Sequence, residues 1–291
     1  MASGILLLDK PRGLSSNAAL QRVRRLWGGV KAGHVGSLDP LATGMLPICL
    51  GEATKVAADI LSGRKRYRFT VRLGVRTATG DAEGAVTATA EVPELTRPDV
   101  EALLGSFLGE SLQTPPMFSA LKHGGEPLYR LARAGVTVER AARAVEIFEL
   151  SLARLDAGSL ELEACCSKGT YIRVLAEDLA AGLGTCGHVT ALRRLFVEPF
   201  ASEAMHTLES LELAASGGRL PQLLPVDWPL KHLPAVRLSE HDAARLRHGQ
   251  AVRAATGAEG RVRLYDAAGD FLGLGTVEGS GLVRPRRVLN G

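Results

Sequence analysis

One carboxylate stands almost alone in a glycine-rich loop. The stretch from Gly33 to Gly44 reads GHVGSLDPLATG, and Asp39 is its one acidic residue. A carboxylate among apolar residues needs a partner, because desolvating a lone charge is costly. Asp39 is therefore a candidate for acid, base or nucleophilic chemistry. The alternative is structural, since aspartate often caps a turn before a proline such as Pro40.

A single arginine occupies an unusual position in a second segment. An apolar stripe predicts a helix that opens at Thr170, formed by Ile172, Leu175, Ala176 and Leu179. Arg173 lies in the first turn of that helix, where the helix dipole favours acidic residues. Its planar guanidinium could face an anion, either Asp39 or a phosphate. Alternatively it points to solvent, at a cost on the order of tenths of a kcal/mol.

A half-buried strand is predicted between these two segments. From Arg64 to Leu73 polar and apolar residues alternate, so successive side chains point to opposite faces. The basic face carries Arg66, Arg68, Thr70 and Arg72. Tyr67 stands at the end of the apolar face, a position that by itself fits a tyrosine of the core.

The charge balance is only mildly basic, with 35 Lys plus Arg against 31 Asp plus Glu and a formal net charge of +4. The total alone identifies no partner. Four clusters hold much of the positive charge: Arg22, Arg24 and Arg25; Arg64, Lys65, Arg66 and Arg68; Arg193 and Arg194; Arg284, Arg286 and Arg287. Such clusters are either solvated faces or contacts for a polyanion such as a nucleic acid.

The cysteines favour buried free thiols over disulfides or a metal site. A metal site would have to combine Cys165 and Cys166 with Cys186 and His188, and this set lacks any C-x-x-C spacing. The N-terminus has no basic segment, and the apolar run from Ile5 to Leu8 is too short for a signal peptide. No stretch approaches the ~20 apolar residues of a membrane helix. We therefore expect a cytoplasmic protein without metal or membrane contact.

The remaining elements must position these residues, and their irregular mixture predicts an α+β fold. We expect a strand from Gly4 to Leu8, a helix capped by Ser15 or Ser16 and ending at Trp27, and a long functional loop from Gly28 to Pro47. Further predictions are a capped helix from Thr96 to Phe107, an irregular excursion from Gln113 to Gly135 with a short helix from Leu128 to Ala134, and strands from Val145 to Leu152 and from Leu160 to Cys166.

A composition change near Trp228 to Pro234 predicts a boundary between two modules. The residues after it predict a short helix from Ser239 to Arg247 and three strands, namely Arg261 to Tyr265, Phe271 to Val277 and Leu282 to Val288. This would be a small β-rich module, near the lower size limit of an independent domain.

Six segments, taken in order, resemble TruB-type pseudouridine synthases. They read LDKPRGLSS from Leu8, GHVGSLDPLATG from Gly33, LPICLGEATK from Leu46, KRY from Lys65, TPPMFSALK from Thr114 and CSKGTYIR from Cys166. The resemblance covers residues 4 to about 200, and the tail resembles the family's PUA module more weakly. The family loop usually reads GHTGALDP, so Val35 and Ser37 depart from it at positions without a catalytic role.

The resemblance implies a chemical role for the three residues singled out above. The family isomerises a uridine in the T-loop of tRNA, at position 55, to pseudouridine. Asp39 would be the catalytic carboxylate, either attacking the sugar or base covalently or taking a sugar proton. Arg173 would pair with Asp39 and orient it. Tyr67 would stack on the flipped base and assist removal of the proton from C5.

The same resemblance implies the substrate-binding residues and the domain plan. Tyr171 and Leu192 would line the pocket, His34 would contact the T-loop, and Lys10 would support the loop or touch the RNA backbone. The expected fold is a pseudouridine synthase domain at residues 1–230, with a mixed central sheet and an RNA-gripping insertion around 113–143. A PUA-like RNA-binding domain would follow at residues 234–291.

The resemblance implies no cofactor, because the reaction involves neither redox change nor phosphoryl transfer. The expected partner is the T-arm of tRNA, bound by a monomer without a protein partner. Three alternatives remain open: a non-catalytic tRNA-binding or RNA-folding protein, a guide-RNA-dependent pseudouridine synthase, and a small-nucleotide glycosidase. The excursion after Gln113 favours an enzyme that acts alone, and Asp39 argues against the non-catalytic protein.

Overall fold

A mixed sheet organises the N-terminal part of the chain. The computed structural model describes residues 2–200 and 202–289. The strands before the C-terminal module are β1 (Gly4–Lys10), β2 (Ala32–His34), β3 (Thr43–Leu50), β4 (Lys65–Leu73), β5 (Val75–Thr77), β6 (Val86–Thr89), β7 (Gly109–Gln113), β8 (Lys122–His123), β9 (Glu126–Pro127), β10 (Arg143–Asp156), β11 (Ser159–Cys166) and β12 (Gly187–Val197).

Helices accompany the strands, and hydrogen-bonding side chains define several of their ends. The α-helices of the described residues are α1 (Ser16–Leu26), α2 (Ala57–Ser62), α3 (Arg97–Gly105), α4 (Leu128–Arg133), α5 (Ile172–Gly182), α6 (Leu208–Ser216) and α7 (Glu240–Arg247). Ser15 caps α1 by accepting from the backbone of Ala18, and Thr96 and Asp99 form the predicted capping box of α3. None of the helices in the described part of the chain is long and apolar enough to span a membrane.

The large sheet has the order β1-β3-β12-β4-β11-β10-β7. Strand β2 pairs with the C-terminal end of β3, at Ile48 to Leu50. Its neighbouring strands pair antiparallel except for β3 and β12. These two run parallel where Arg193 faces Thr43 and Arg194 faces Gly44. The mixed central sheet of an α+β fold is thus confirmed. The segment between β2 and β3, residues 35–42, carries Asp39 and is called the Asp39 loop. The parallel pairing joins the end of this loop directly to the middle of the sheet.

An apolar core lies on each side of the sheet, while the outer face of β4 and its neighbours β11 and β10 remains open to solvent. On one side, the apolar face of β4 packs with β1, β3 and the helices α1, α3, α5 and α6. The alternation predicted for β4 holds, with Phe69, Val71 and Leu73 buried and Arg68 and Arg72 exposed. On the other side, Ile5 and Leu7 of β1 pack against α2 and the residues that follow β12.

The C-terminal module is a second sheet with its own core. Its strands are β13 (Ala235–Arg237), β14 (Val252–Arg253), β15 (Gly260–Tyr265), β16 (Phe271–Glu278) and β17 (Leu282–Val288), in the order β13-β15-β16-β17-β14. The predicted β-rich character of this region is confirmed. Leu274 of β16 packs into the core beneath β1, and Arg261 forms an ion pair with Asp59 of α2 at 2.6 Å.

Several sequence predictions need correction. The stretch from Gly28 to Pro47 is not one loop, because it contains β2 and the first half of β3. The helix expected to open at Thr170 begins two residues later, with Tyr171 at the N-cap position. The excursion after Gln113 contains the hairpin of β8 and β9.

Strand β12 lies at the centre of the sheet and was not predicted. Its pairing with β4 is interrupted by irregularities between Val189 and Ala191 and between Arg194 and Phe196. An extra residue at each point breaks the strict alternation by which a strand is recognised in a sequence.

Candidate active site

Asp39 and Arg173 meet at the floor of a cleft of about 400 Å³. The Nε atom of Arg173 lies 2.9 Å from Oδ2 of Asp39. The Asp39 side chain keeps 39% of its surface exposed, whereas that of Arg173 keeps 6%. The carboxylate is therefore available to a bound molecule while its cationic partner is enclosed by protein. The alternative of a solvent-facing Arg173 is wrong.

The Arg173 guanidinium is held from three sides. One terminal nitrogen donates to the carbonyl of Thr79 and the other to the carbonyl of Phe118, each at 2.7 Å. Asp81 approaches Nε at 3.8 Å and is itself buried. With both terminal nitrogens occupied, the guanidinium has a single orientation, in which its Nε atom lies beside the carboxylate of Asp39.

Burial raises the pKa of Asp39 above its ordinary value, and the positive charge of Arg173 opposes this rise. The negative charge of Asp81 adds to the rise, whereas Lys10 lowers the pKa. The desolvated carboxylate is a stronger base and nucleophile than one in water, which suits an acid–base or covalent step.

The loop around Asp39 is shaped by side chains from the preceding elements. Ser16, at the start of α1, accepts from the backbone N–H of Leu38 at 2.7 Å and donates to the carbonyl of the same residue at 2.9 Å. The carbonyl of Asp39 accepts from Ala42, which closes a turn. Asp39 does lie in a turn, but its carboxylate is directed at Arg173 rather than used as a cap.

Lys10 is completely buried beneath this loop. Its ammonium donates to the carbonyls of Leu14 at 2.6 Å, Pro11 at 2.9 Å and Pro40 at 3.5 Å. Burial lowers the pKa of Lys10 to about 8. Of its two expected roles, this placement favours support of the loop over contact with an RNA backbone.

Aromatic and apolar side chains line the cleft beside Asp39. Tyr67, Tyr171 and Leu192, to which the resemblance gives roles in binding the base, all contribute to its wall. Tyr67 is 9% exposed, and burial raises its pKa while the positive charge of Arg194 opposes the rise. Burial also raises the pKa of Tyr171. Both phenols are therefore neutral at physiological pH, with a ring surface suited to stacking.

His34 does not line the cleft. It lies on β2, paired with Ile48, and its Nδ1 atom is buried without a hydrogen-bond partner among the described residues. Burial lowers the pKa of His34, and the positive charge of Arg194 lowers it further. The imidazole is therefore neutral at physiological pH.

Sequence reasoning missed several residues that build the site. Asp81 and Thr79 belong to the turn between β5 and β6, where Thr79 donates to Asp81 at 2.6 Å. Gln113, at the end of β7, accepts from the backbone N–H of Tyr171 at 2.7 Å and donates to its carbonyl at 3.2 Å. A polar residue ending a strand next to Pro115 and Pro116 was the available signal for Gln113.

The basic clusters are more internally paired than their sequence suggested. Arg64, Arg66 and Arg68 form ion pairs with Glu198, Glu149 and Glu163, respectively. Lys65 and Arg194 are buried. The strand from Lys65 is thus not a continuous basic surface, because alternate side chains point inward and the outward ones face acidic residues on neighbouring strands.

No group of three or more His, Cys, Asp or Glu side chains within residues 2–200 and 202–289 is arranged to hold a metal ion. Cys165 and Cys166 are buried free thiols, and burial raises the pKa of Cys166 to about 11.

Three family models match consecutive parts of the chain. The model described as TruB family pseudouridylate synthase (N terminal domain) matches residues 24–172. The model described as tRNA pseudouridylate synthase B C-terminal domain matches residues 173–230. The model described as Pseudouridine synthase II TruB, C-terminal matches residues 234–289.

Curated relatives are similar over nearly the whole chain. A protein of Chromohalobacter salexigens named tRNA pseudouridine synthase B is 53% identical over 291 residues, covering 99% of this chain and 94% of that protein. One of Aromatoleum aromaticum with the same name is 49% identical over 290 residues, covering 100% and 94%. A solved Cbf5-Nop10-Gar1 complex contains a chain that matches with a TM-score of 0.73 and 23% identity, covering 98% of this chain and 84% of that one. This structural likeness concerns the fold alone.

Proposed function

The chain belongs to the TruB family of pseudouridylate synthases, and from this premise we propose that it converts uridine 55 in the T-loop of tRNA to pseudouridine with Asp39 as the catalytic carboxylate. The observation that carries the proposal is the contact of Asp39 with the buried Arg173 at the floor of the cleft. Two tyrosines and Leu192 line the same cleft, which suits a flat base.

The proposed reaction is an isomerisation in which all atoms are retained. The bond between C1′ of the ribose and N1 of the base breaks, the detached base turns, and C1′ joins C5. C5 then loses a proton and N1 gains one, so the composition of the nucleotide is unchanged. Asp39 acts either by forming a covalent bond with the sugar or base or by taking a sugar proton. Arg173 fixes the direction from which the carboxylate approaches.

A single carboxylate suits this chemistry better than a pair. Glycosidases use two carboxylates, one of which activates a water molecule in inverting enzymes. Hydrolysis here would leave an abasic site. Asp81 is the nearest second carboxylate on Arg173, but it is buried and does not line the cleft. Asp39 alone is thus directed into the space where the nucleotide would lie.

The target base must leave the RNA stack before it can enter the cleft. Flipping costs a few kcal/mol, and stacking on an aromatic ring can return ~1–3 kcal/mol of it. We assign this stacking to Tyr67, assisted by Tyr171 in the wall of the same cleft. We also assign to the hydroxyl of Tyr67 a part in removing the proton from C5.

We assign the remaining contacts with tRNA to parts of the chain outside the cleft. His34 would meet the T-loop, and the insertion around residues 113–143 and the module at 234–291 would hold the RNA. The insertion touches the site directly, because the carbonyl of Phe118 accepts from Arg173. A cytoplasmic location, a monomeric state and independence from a protein partner belong to the same proposal.

The test is a comparison of wild-type protein with Asp39→Asn on tRNA labelled with tritium at C5 of uridine. Forming the new carbon–carbon bond releases the tritium to water. We expect release by the wild type and none by Asp39→Asn, with tRNA binding retained by both. Asp156→Asn, which alters an exposed ion pair with Arg154 on the β10–β11 hairpin, is the matched control and should remain active.

Position-resolved mapping of the product distinguishes the alternatives. Pseudouridine at position 55 of naked tRNA, formed by the purified chain alone, excludes both the guide-RNA-dependent and the non-catalytic alternative. Released free uracil would indicate a glycosidase instead. Full activity of Asp39→Asn would refute the assigned role of Asp39.

A further inference from the structure

Arg194 is an enclosed cation beside the cleft, and neither the reaction scheme nor the expected basic surface accounts for it. Its residue is 1% exposed. It lies on β12, directly across from Tyr67 of β4 on one side and from Gly44 of β3 on the other. One side chain in the middle of the sheet thus adjoins both the stacking tyrosine and the end of the Asp39 loop.

The guanidinium of Arg194 bonds the loop on both sides of Asp39. One terminal nitrogen donates to the carbonyl of Gly36 at 2.8 Å, and Nε donates to the carbonyl of Met45 at 2.7 Å. Tyr67 lies directly across from Arg194 on the neighbouring strand, and the positive charge of Arg194 acts on its phenol. One planar group therefore joins the loop before Asp39 to the strand after it and lies beside the aromatic ring of the cleft.

The backbone of the loop is fitted to this side chain. Gly36 has φ +71°, and a Cβ atom there would lie 3.2 Å from a terminal nitrogen of Arg194. Any side chain at position 36 would thus be strained and would press on the guanidinium. The loop approaches Arg194 as closely as a glycine permits.

Burying this cation is costly, because the acceptors of its hydrogen bonds are the backbone carbonyls of Gly36 and Met45 rather than a carboxylate. Arg193, its neighbour, forms an ion pair with Asp9 at 2.8 Å. Within the described parts of the chain, none of the ion pairs includes Arg194. An apolar residue at position 194 would avoid the cost of desolvating a charge in the middle of the sheet. Departures from the most stable arrangement concentrate at functional sites.

We propose that Arg194 is a positioning residue for the isomerisation, because its guanidinium holds the two ends of the Asp39 loop and the Tyr67 ring in fixed relation. Arg194 does not touch the reacting atoms itself. This inference rests on the catalytic role assigned to Asp39. The planar fork is essential to it, since a lysine retains the charge but presents it at a single atom, which cannot match the separate directions in which Nε and a terminal nitrogen of Arg194 reach Met45 and Gly36.

The test compares Arg194→Lys with Arg193→Lys, which changes the adjacent arginine on the same strand. Tritium release in single turnover, tRNA affinity and melting temperature are measured for both and for the wild type. We expect Arg194→Lys to bind tRNA as the wild type does and to melt at a somewhat lower temperature, because a buried carbonyl loses its donor. At a temperature where both proteins are folded, it should react on the order of 100-fold more slowly, as expected of a displacement of about 1 Å at a reacting group. Arg193→Lys should react at the wild-type rate.

A second variant allows a test by chemical rescue, in which a small molecule replaces the missing guanidinium. Arg194→Ala leaves a space reached from the cleft, and ethylguanidinium should restore part of its activity. Tetramethylammonium, a cation without a planar fork, should restore none. Hydrogen exchange should be faster in residues 33–45 of Arg194→Ala than in the wild type, with exchange in β4 unchanged.

The proposal is overturned if Arg194→Lys reacts at the wild-type rate. It is also overturned if reaction rate, tRNA affinity and melting temperature fall together in Arg194→Lys and in Arg194→Ala, and ethylguanidinium restores no activity. Arg194 would then serve only folding. A failure of the assignment to Asp39 is recognised separately, since Asp39→Asn would then release tritium whatever the variants at position 194 do.

Discussion

Asp81 approaches the same Nε atom of Arg173 that forms the ion pair with Asp39, at 3.8 Å compared with 2.9 Å. Two carboxylates thus share one cation, and of the two Asp39 is the one that reaches the cleft. The negative charge of Asp81 raises the pKa of Asp39, while its contact with Arg173 helps to hold the guanidinium in place. These two effects of Asp81 are separable by experiment.

The first prediction concerns the acid limb of the pH–rate profile. Burial raises the pKa of Asp39, and the reaction needs the ionised form, so activity should fall as pH decreases through this raised pKa. Asp81→Asn removes a negative charge that contributes to the rise, so the acid limb should move to lower pH. Single-turnover tritium release across pH measures the shift. Asp156→Asn is the control, and an acid limb at the same pH in wild type and Asp81→Asn would contradict the prediction.

The second prediction concerns the clamp on the N-terminus of α5. Gln113→Leu keeps roughly the volume of the side chain but leaves the N–H of Tyr171 without its partner, while the Tyr171 carbonyl still accepts from Leu175. We expect the free energy of unfolding to fall by about 1–3 kcal/mol and KM for tRNA to rise as Tyr171 loses its fixed position. Denaturant titration and steady-state kinetics measure the two effects. Gln21→Leu, on the surface of α1, should change neither, and an unaltered Gln113→Leu protein would argue against the clamp.

The third prediction concerns the junction of β3 and β12. Gly44 has φ +98°, and a Cβ atom there would overlap the carbonyl oxygen of Arg194. Gly13 has φ +87°, but a Cβ atom added to it would meet no described atom within 4 Å, so it isolates the cost of the backbone angle. Gly44→Ala should therefore lower the free energy of unfolding by about 3 kcal/mol, and Gly13→Ala by about 1 kcal/mol. Denaturant titration measures the free energy of unfolding of both variants. Equal losses would contradict the prediction, because they would show that β3 and β12 move apart at Gly44 at little cost.

The fourth prediction concerns the mouth of the cleft. Lys168 is exposed and contributes to the cleft wall, where the RNA backbone would pass. Lys168→Gln should weaken tRNA binding and lower the slope of log K against log salt concentration by about one. Arg154→Gln, whose partner is Asp156, should leave the slope unchanged. Binding measured over a series of salt concentrations decides the matter, and an unaltered slope in Lys168→Gln would remove this residue from the RNA surface.

Local features of the sequence predicted much of the fold. The alternation around Phe69 identified β4, and the caps Ser15 and Thr96 marked the starts of α1 and α3. Such signals lie within a few residues of each other and are set by backbone geometry alone. The central strand β12 escaped prediction because its irregularities disrupt the same signal.

Long-range partners could not be derived in the same way. The residues alone left the partner of Arg173 open between Asp39 and a phosphate, and gave no indication of Asp81 or of the carbonyls of Thr79 and Phe118. These contacts depend on how separate loops meet at one end of the sheet. Likewise, Arg193 and Arg194 are adjacent in the sequence, but one forms a surface ion pair and the other lies in the interior.

Strands β4 and β12 are neighbours in the middle of the large sheet, and each is bonded on both sides. Such central strands open last in a folded protein. Tyr67 and Leu192 therefore belong to the most rigid layer of the molecule. In the proposed reaction, a nucleotide entering the cleft would meet a surface that does not yield, so the required distortion would fall on the RNA.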